Sequence, residues 1–121
     1  IDVVPADASA GITDASYLFD MAPDGYFEIY ETSSFENIIM EGAFMNEEMQ
    51  GVWTFYNGGN ISEIVNYHNG YRQGEYKAFY PSGSIKASAS YNKGLLDGKY
   101  IIFNEDGSVR NMYEMNNGEI N

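Results

Sequence analysis

From Ile85 to Tyr91 the chain alternates, with Ile85, Ala87, Ala89 and Tyr91 on one side of the pattern and Lys86, Ser88 and Ser90 on the other. The same period of two sets Val109, Asn111, Tyr113 and Met115 against Arg110, Met112 and Glu114. A period of two is the mark of a half-buried strand. The punctuation between such runs is glycine. Pro81-Ser82-Gly83 and Glu105-Asp106-Gly107 read as short hairpin turns with a left-handed glycine, and His68-Asn69-Gly70, Asn92-Lys93-Gly94 and Asn116-Asn117-Gly118 carry the same positive-φ signal. Hairpin turns are therefore expected at 57–60, 81–84 and 104–107, and again at 68–70, 92–94 and 116–118.

The strands and turns recur as a unit. Lines begun at Gly51, Gly74 and Gly98 each place an aromatic two residues on (Trp53, Tyr76, Tyr100) and later a Gly, a small polar residue and an aliphatic. Tyr67, Tyr91 or Met115 follows, and then Gly70, Gly94 or Gly118. The opening glycines lie 23 and then 24 residues apart, a spacing that indicates a repeat architecture. A degenerate unit precedes them, running from Gly25-Tyr26-Phe27 to Phe44, with Glu47 where glycine is expected. The expected organisation is an N-terminal linker and cap over 1–24, then a repeat domain over 25–121. Its degenerate unit spans 25–50 and its repeats 51–73, 74–97 and 98–121. Within the first part, residues 1–11 read as a linker, and residues 12–24 as a cap, either a strand or a short helix. The fold class expected is all-β, an antiparallel β-hairpin meander forming an open-ended single-layer sheet.

The pattern Gly-x-aromatic-x-x-aromatic, then Gly-x-Ile, then Tyr-x-x-Gly-x-x-x-Gly resembles the variant MORN repeat, found in YwqK-type antitoxin-like bacterial proteins. The resemblance covers 51–121 well and 25–50 poorly. It implies a protein-interaction or scaffolding module of MORN-like hairpins.

Charge narrows the partners. The 121 residues carry 18 acids against 6 bases, a net charge of −12. Residues 1–71 hold twelve of the acids and no Lys or Arg, whereas Arg72, Lys77, Lys86, Lys93, Lys99 and Arg110 balance the remaining acids. Six dispersed bases make no phosphate-binding stripe, so a nucleic-acid partner is not expected. The acidic front half suits a basic protein partner, which it would steer electrostatically, or else serves solubility. On the first reading several of Glu28, Glu31, Glu36, Glu41, Glu47, Glu48 and Glu63 should lie exposed on one side of the sheet with no Lys or Arg beside them. No apolar run approaches the ~20 residues of a membrane span. The first residue, Ile1, reads as the start of a processed or trimmed chain, consistent with an extracytoplasmic or a cytoplasmic protein.

Candidate chemistry is sparse. There is no cysteine and a single histidine, His68, in a variable turn slot, so neither a triad nor a Cys/His zinc set can be assembled. Paired acids such as Glu47-Glu48 and Glu105-Asp106 fall in links and turns, where geometry explains them. No catalytic residue and no cofactor is expected. What remains is aromatic. Trp53, Tyr76 and Tyr100 share one strand position, and Tyr56, Phe79 and Phe103 lie on the opposite face of the same strands. One ladder is expected as core and the other as a binding surface or a covered face. The candidate binding residues are these six with Glu28, Glu31 and Glu63. The function expected is a non-catalytic interaction module, in its sharper form an acidic antitoxin or immunity-type protein. The alternative class is a structural envelope or surface (lipo)protein ectodomain that holds glycan on its aromatics.

Overall fold

A computed structural model of the protein describes residues 2–6, 24–31 and 37–121. They form one sheet in which chain order is spatial order. The strands are β1 (Asp2–Ala6), β2 (Gly25–Glu31), β3 (Ile38–Met45), β4 (Glu48–Asn57), β5 (Asn60–His68), β6 (Tyr71–Phe79), β7 (Ile85–Asn92), β8 (Leu95–Leu96), β9 (Gly98–Phe103), β10 (Val109–Asn116) and β11 (Glu119–Ile120). From β2 onward every pairing is antiparallel, the hairpin meander expected from the alternation and the glycine spacing.

The exception is β1. It pairs parallel to β2, Val4 opposite Ile29, so residues 2–6 are an edge strand where the small-residue composition suggested part of a linker. Pairing with a neighbouring strand outweighs the weak local signal. Residues 12–23 of the expected cap lie outside the described residues.

Turn chemistry places the glycines as the sequence implies. Asn69-Gly70, Lys93-Gly94 and Asn117-Gly118 all have positive φ, as do Gly83 at 96° and Gly107 at 91°. The degenerate unit reproduces this without its glycine: Asn46 sits at 52° and Glu47 at 67°. The opening glycines Gly51 (78°), Gly74 (89°) and Gly98 (98°) also take the left-handed region, kinking each linking strand. Opposite them stand the large side chains of the following strand: Tyr67 pairs with Gly51, Tyr91 with Gly74 and Met115 with Gly98.

Each hairpin carries the same one-residue bulge. Pairing steps over Ile39 in β3, Ser62 in β5, Lys86 in β7 and Arg110 in β10. A bulge re-aims the residues beside it, and in this sheet it recurs with the repeat.

One face of the sheet holds the core. At the front it is dense: Phe27, Ile29, Met40, Phe44, Met49 and Trp53 form one buried cluster. Phe44 meets Phe27 and Trp53 edge-on, at 5.5 Å and 5.1 Å between ring centroids. The buried Trp53 indole donates its N–H to the Ala43 carbonyl at 3.0 Å. Gly42 lies beneath that indole. A Cβ on Gly42 would stand 2.2 Å from the ring, so only glycine fits between strand and tryptophan.

Candidate functional site

Three adjacent rows of cross-strand pairs on the core face determine where a ligand could sit. One row runs Ile29, Met40, Phe55, Glu63, Ala78, Ala87, Ile102, Asn111. Side-chain size collapses at Ala78 and Ala87. In the flanking row Ala89 is small as well, but Tyr76 and Tyr100 on the strands either side of it keep the aromatic of the repeat. The result is a groove of about 540 Å³, floored by Ala78 and Ala87, walled by Tyr76, Tyr100 and Phe79, with Glu63 at its front end. That volume lies in the range of ligand-binding clefts.

The walls are held by specific contacts. Tyr76 donates its hydroxyl to the Glu63 carboxylate and meets Tyr91 edge-on at 5.7 Å. Arg72 supports both rings, its guanidinium 5.3 Å from the Tyr91 centroid and 5.8 Å from that of Tyr76, while Nη1 donates to the Tyr91 hydroxyl at 3.1 Å. Burial, then the hydrogen bond to Glu63 and its charge, push the Tyr76 phenol well above the ordinary tyrosine range. Tyr100 leans edge-on against Tyr113 at 6.2 Å, and its hydroxyl has no hydrogen-bond partner among the described residues. The bulge residues Ser62 and Lys86 turn into the groove as well.

Four of the nine residues singled out in the sequence therefore meet here: Tyr76, Phe79, Tyr100 and Glu63. Phe79 was expected on the face opposite Tyr76; it lines the groove from the end of β6, where the pairing register shifts between Ala78 and Phe79. Trp53 offers a partner no surface at all, being 0 % exposed. Phe103 lies apart, half-buried, with its carbonyl accepting the Tyr80 hydroxyl at 2.6 Å. Glu31, at the end of β2, accepts from Asn37 at 3.3 Å. The floor residues Ala78 and Ala87 went unremarked as site residues in the sequence; the signal was small residues at positions that are large in the neighbouring units.

The opposite face carries a second constellation. Glu28 and Glu41 stand directly across from each other on β2 and β3. Tyr56 donates to Glu41, and burial together with that carboxylate lifts its phenol well above the usual range. The same causes, burial first, raise Tyr26 to about 12. The single acidic surface expected from the charge count does not form: Glu28 and Glu41 are on this face, Glu63 is on the other, and Glu47 lies in a turn. Glu36 lies outside the described residues.

His68 meets only amide groups, Gln50 and Asn69, at 3.4 Å each. Among the described residues no three His, Cys, Asp or Glu side chains converge as a metal set, and no helix is long and apolar enough to cross a membrane.

A further set of contacts ties unit to unit. The residue before each opening glycine caps the next turn: Asp24 accepts from the Asn46 N–H at 2.7 Å, Gln50 from Asn69 at 2.7 Å, Gln73 from Lys93 at 2.7 Å and Asp97 from Asn117 at 3.5 Å. Beside it the turn glycine donates to the previous link, Gly70 to Met49, Gly94 to Arg72 and Gly118 to Leu96. The turns are thus locked in series. No curated protein and no solved structure matches the chain. Residues 72–93, which span the capped β6–β7 hairpin and its groove floor, match the MORN repeat variant.

Proposed function

We propose that the protein is a non-catalytic binding module that seats a protein partner in the groove between Tyr76 and Tyr100. The observation that carries this reading is the collapse of one core row to Ala78 and Ala87 between walls that remain aromatic. MORN repeats are generally associated with protein and membrane interaction, which supports the same reading. The narrower form, an antitoxin or immunity-type protein acting on a basic partner, draws support from Glu63 at the groove and from Glu28 facing Glu41 behind it. Charge of that kind acts mainly on the rate of encounter.

Affinity capture with the wild-type protein and with Ala87→Leu, which fills the floor, tests the groove. The expected result is a partner retained by the first and lost by the second, with the variant's fold verified by its amide spectrum. Retention of the same proteins by both would overturn the groove. For the narrower form, association should slow as salt rises from low to physiological strength; a rate indifferent to salt would leave solubility as the role of the charge.

A further inference from the structure

We infer that Asn57 is a site of spontaneous covalent modification, its side-chain amide being the one that the fold leaves open to conversion into aspartate and isoaspartate. The chain carries three Asn-Gly sequences, Asn57-Gly58, Asn69-Gly70 and Asn117-Gly118, and all three asparagines are exposed at hairpin turns. By sequence they are equivalent, because a following glycine, with no Cβ, leaves its own nitrogen open to react. That nitrogen loses its proton and attacks the side-chain carbonyl carbon of the asparagine. The bond to the amide nitrogen breaks, ammonia leaves, and a cyclic succinimide closes. Water then opens the ring at either carbonyl, giving aspartate or isoaspartate. Nothing is oxidised or reduced, and water is the one co-reactant.

The attacking nitrogen is what differs between the three. The Gly70 N–H donates to the Met49 carbonyl at 3.0 Å and the Gly118 N–H to that of Leu96 at 2.7 Å, so in those turns the neighbouring unit holds the nucleophile. Gly58 stands elsewhere in its turn. Asn57 pairs with Asn60, and Gly58 and Gly59 lie between them at φ 60° and 86°. A two-residue turn of this kind closes through its end residues and leaves the amide of its first central residue unused. Among the described residues the Gly58 N–H has no partner.

The surroundings point the same way. A Cβ on Gly58 or Gly59 would meet nothing within 4 Å, whereas one on Gly70 would stand 2.9 Å from Glu48 Oε2 and one on Gly118 3.5 Å from Leu95. The backbone at 57–58 is thus free to rotate nitrogen and carbonyl carbon together without displacing a neighbour. Asn69 is further restrained, its N–H donating to Gln50 at 2.7 Å and its side-chain amide contacting His68 at 3.4 Å. Conversion at Asn57 sets a carboxylate at the margin of the groove, in the hairpin that also carries Glu63. The isoaspartyl form adds a methylene to the backbone as well, which shifts the pairing of Asn57 with Asn60.

The test incubates the folded full chain in mildly alkaline buffer and follows each asparagine by peptide mapping and mass spectrometry, with an isoaspartyl methyltransferase reporting the isoaspartyl product. A hydrogen bond on the nucleophile slows the attack about tenfold. Acid should accordingly accumulate at Asn57 about tenfold faster than at Asn69 or Asn117. In denaturant the three rates should converge, since only the fold distinguishes them. Equal rates in the folded chain, or faster conversion at Asn69 or Asn117, would overturn the inference. So would an Asn57 that stays intact when folded and converts when unfolded, or an Asn57 lead that persists unchanged in denaturant, which would trace it to local sequence.

Discussion

Glu47 occupies a position that the other units give to glycine, and the backbone there makes no allowance for it. Its φ of 67° is in the left-handed region, as are the 83°, 86° and 85° of Gly70, Gly94 and Gly118. A non-glycine residue in that region is strained by about 1–2 kcal/mol, and part of the relief on substitution is returned as the greater freedom of glycine in the unfolded chain. Glu47→Gly should therefore stabilise the protein by about 0.5–1 kcal/mol. Thermal or denaturant unfolding checks it, and a lowered midpoint would show that the Glu47 side chain makes a contact worth more than the strain. Gly42 is the converse. Its strand neighbours give no turn signal, and the reason for glycine is the indole face lying on its backbone. An isolated glycine in an apolar strand hints at such an approach without naming the residue that approaches.

At the scale of the element, each hairpin is a two-stranded ribbon too small to be stable alone. What joins the repeats is a pair of hydrogen bonds at the turns of Gly70, Gly94 and Gly118, one from the turn glycine to a carbonyl and one into a Gln or Asp side chain. Gln73 does two things at once: its oxygen accepts from Lys93 at 2.7 Å and its amide donates to Asn92 at 3.3 Å. Gln73→Ala should cost about 1 kcal/mol and speed hydrogen exchange at the Lys93 amide. The equivalent Asp97 contact is longer, 3.5 Å, so Asp97→Ala should cost less and change Asn117 little. Equal protection of Lys93 in wild type and Gln73→Ala would mean that the Gly94 bond alone holds the turn. The side chain before the opening glycine is visible in the sequence as Gln, Gln and Asp, but nothing local says that its partner lies one turn further along.

Over the whole molecule, tyrosines on both faces depend on being neutral. Tyr26 is raised to about 12, and Tyr56 and Tyr76 are shifted in the same direction, by burial first and then by Glu41 and Glu63. A phenol whose folded pKa exceeds its unfolded value near 10 contributes fully below that pH. The contribution is lost as pH rises through the folded value, here toward 12. Unfolding temperature should accordingly fall across this alkaline window, and Tyr56→Phe and Tyr76→Phe should each flatten the decline. An unfolding temperature indifferent to pH there would mean that the carboxylates move away from the phenolates. Of the acidic residues, Glu41 and Glu63 each accept a tyrosine hydroxyl, one on either face of the sheet.

Strand period and the turn positions were legible in the sequence, because alternation and positive-φ glycines are local properties that antiparallel neighbours do not overrule. Tertiary pairing decided the remainder. It made residues 2–6 a parallel edge strand despite their composition, since a strand is stabilised by the edge it meets. It buried Trp53 against Phe44 and the bare Gly42 while leaving the equivalent Tyr76 and Tyr100 as walls, because the row beside Trp53 holds Phe55 whereas the row beside Tyr76 holds Ala78 and Ala87. It also set Phe79 at the rim of the groove, at the end of β6 where the pairing with β7 shifts register at the Lys86 bulge.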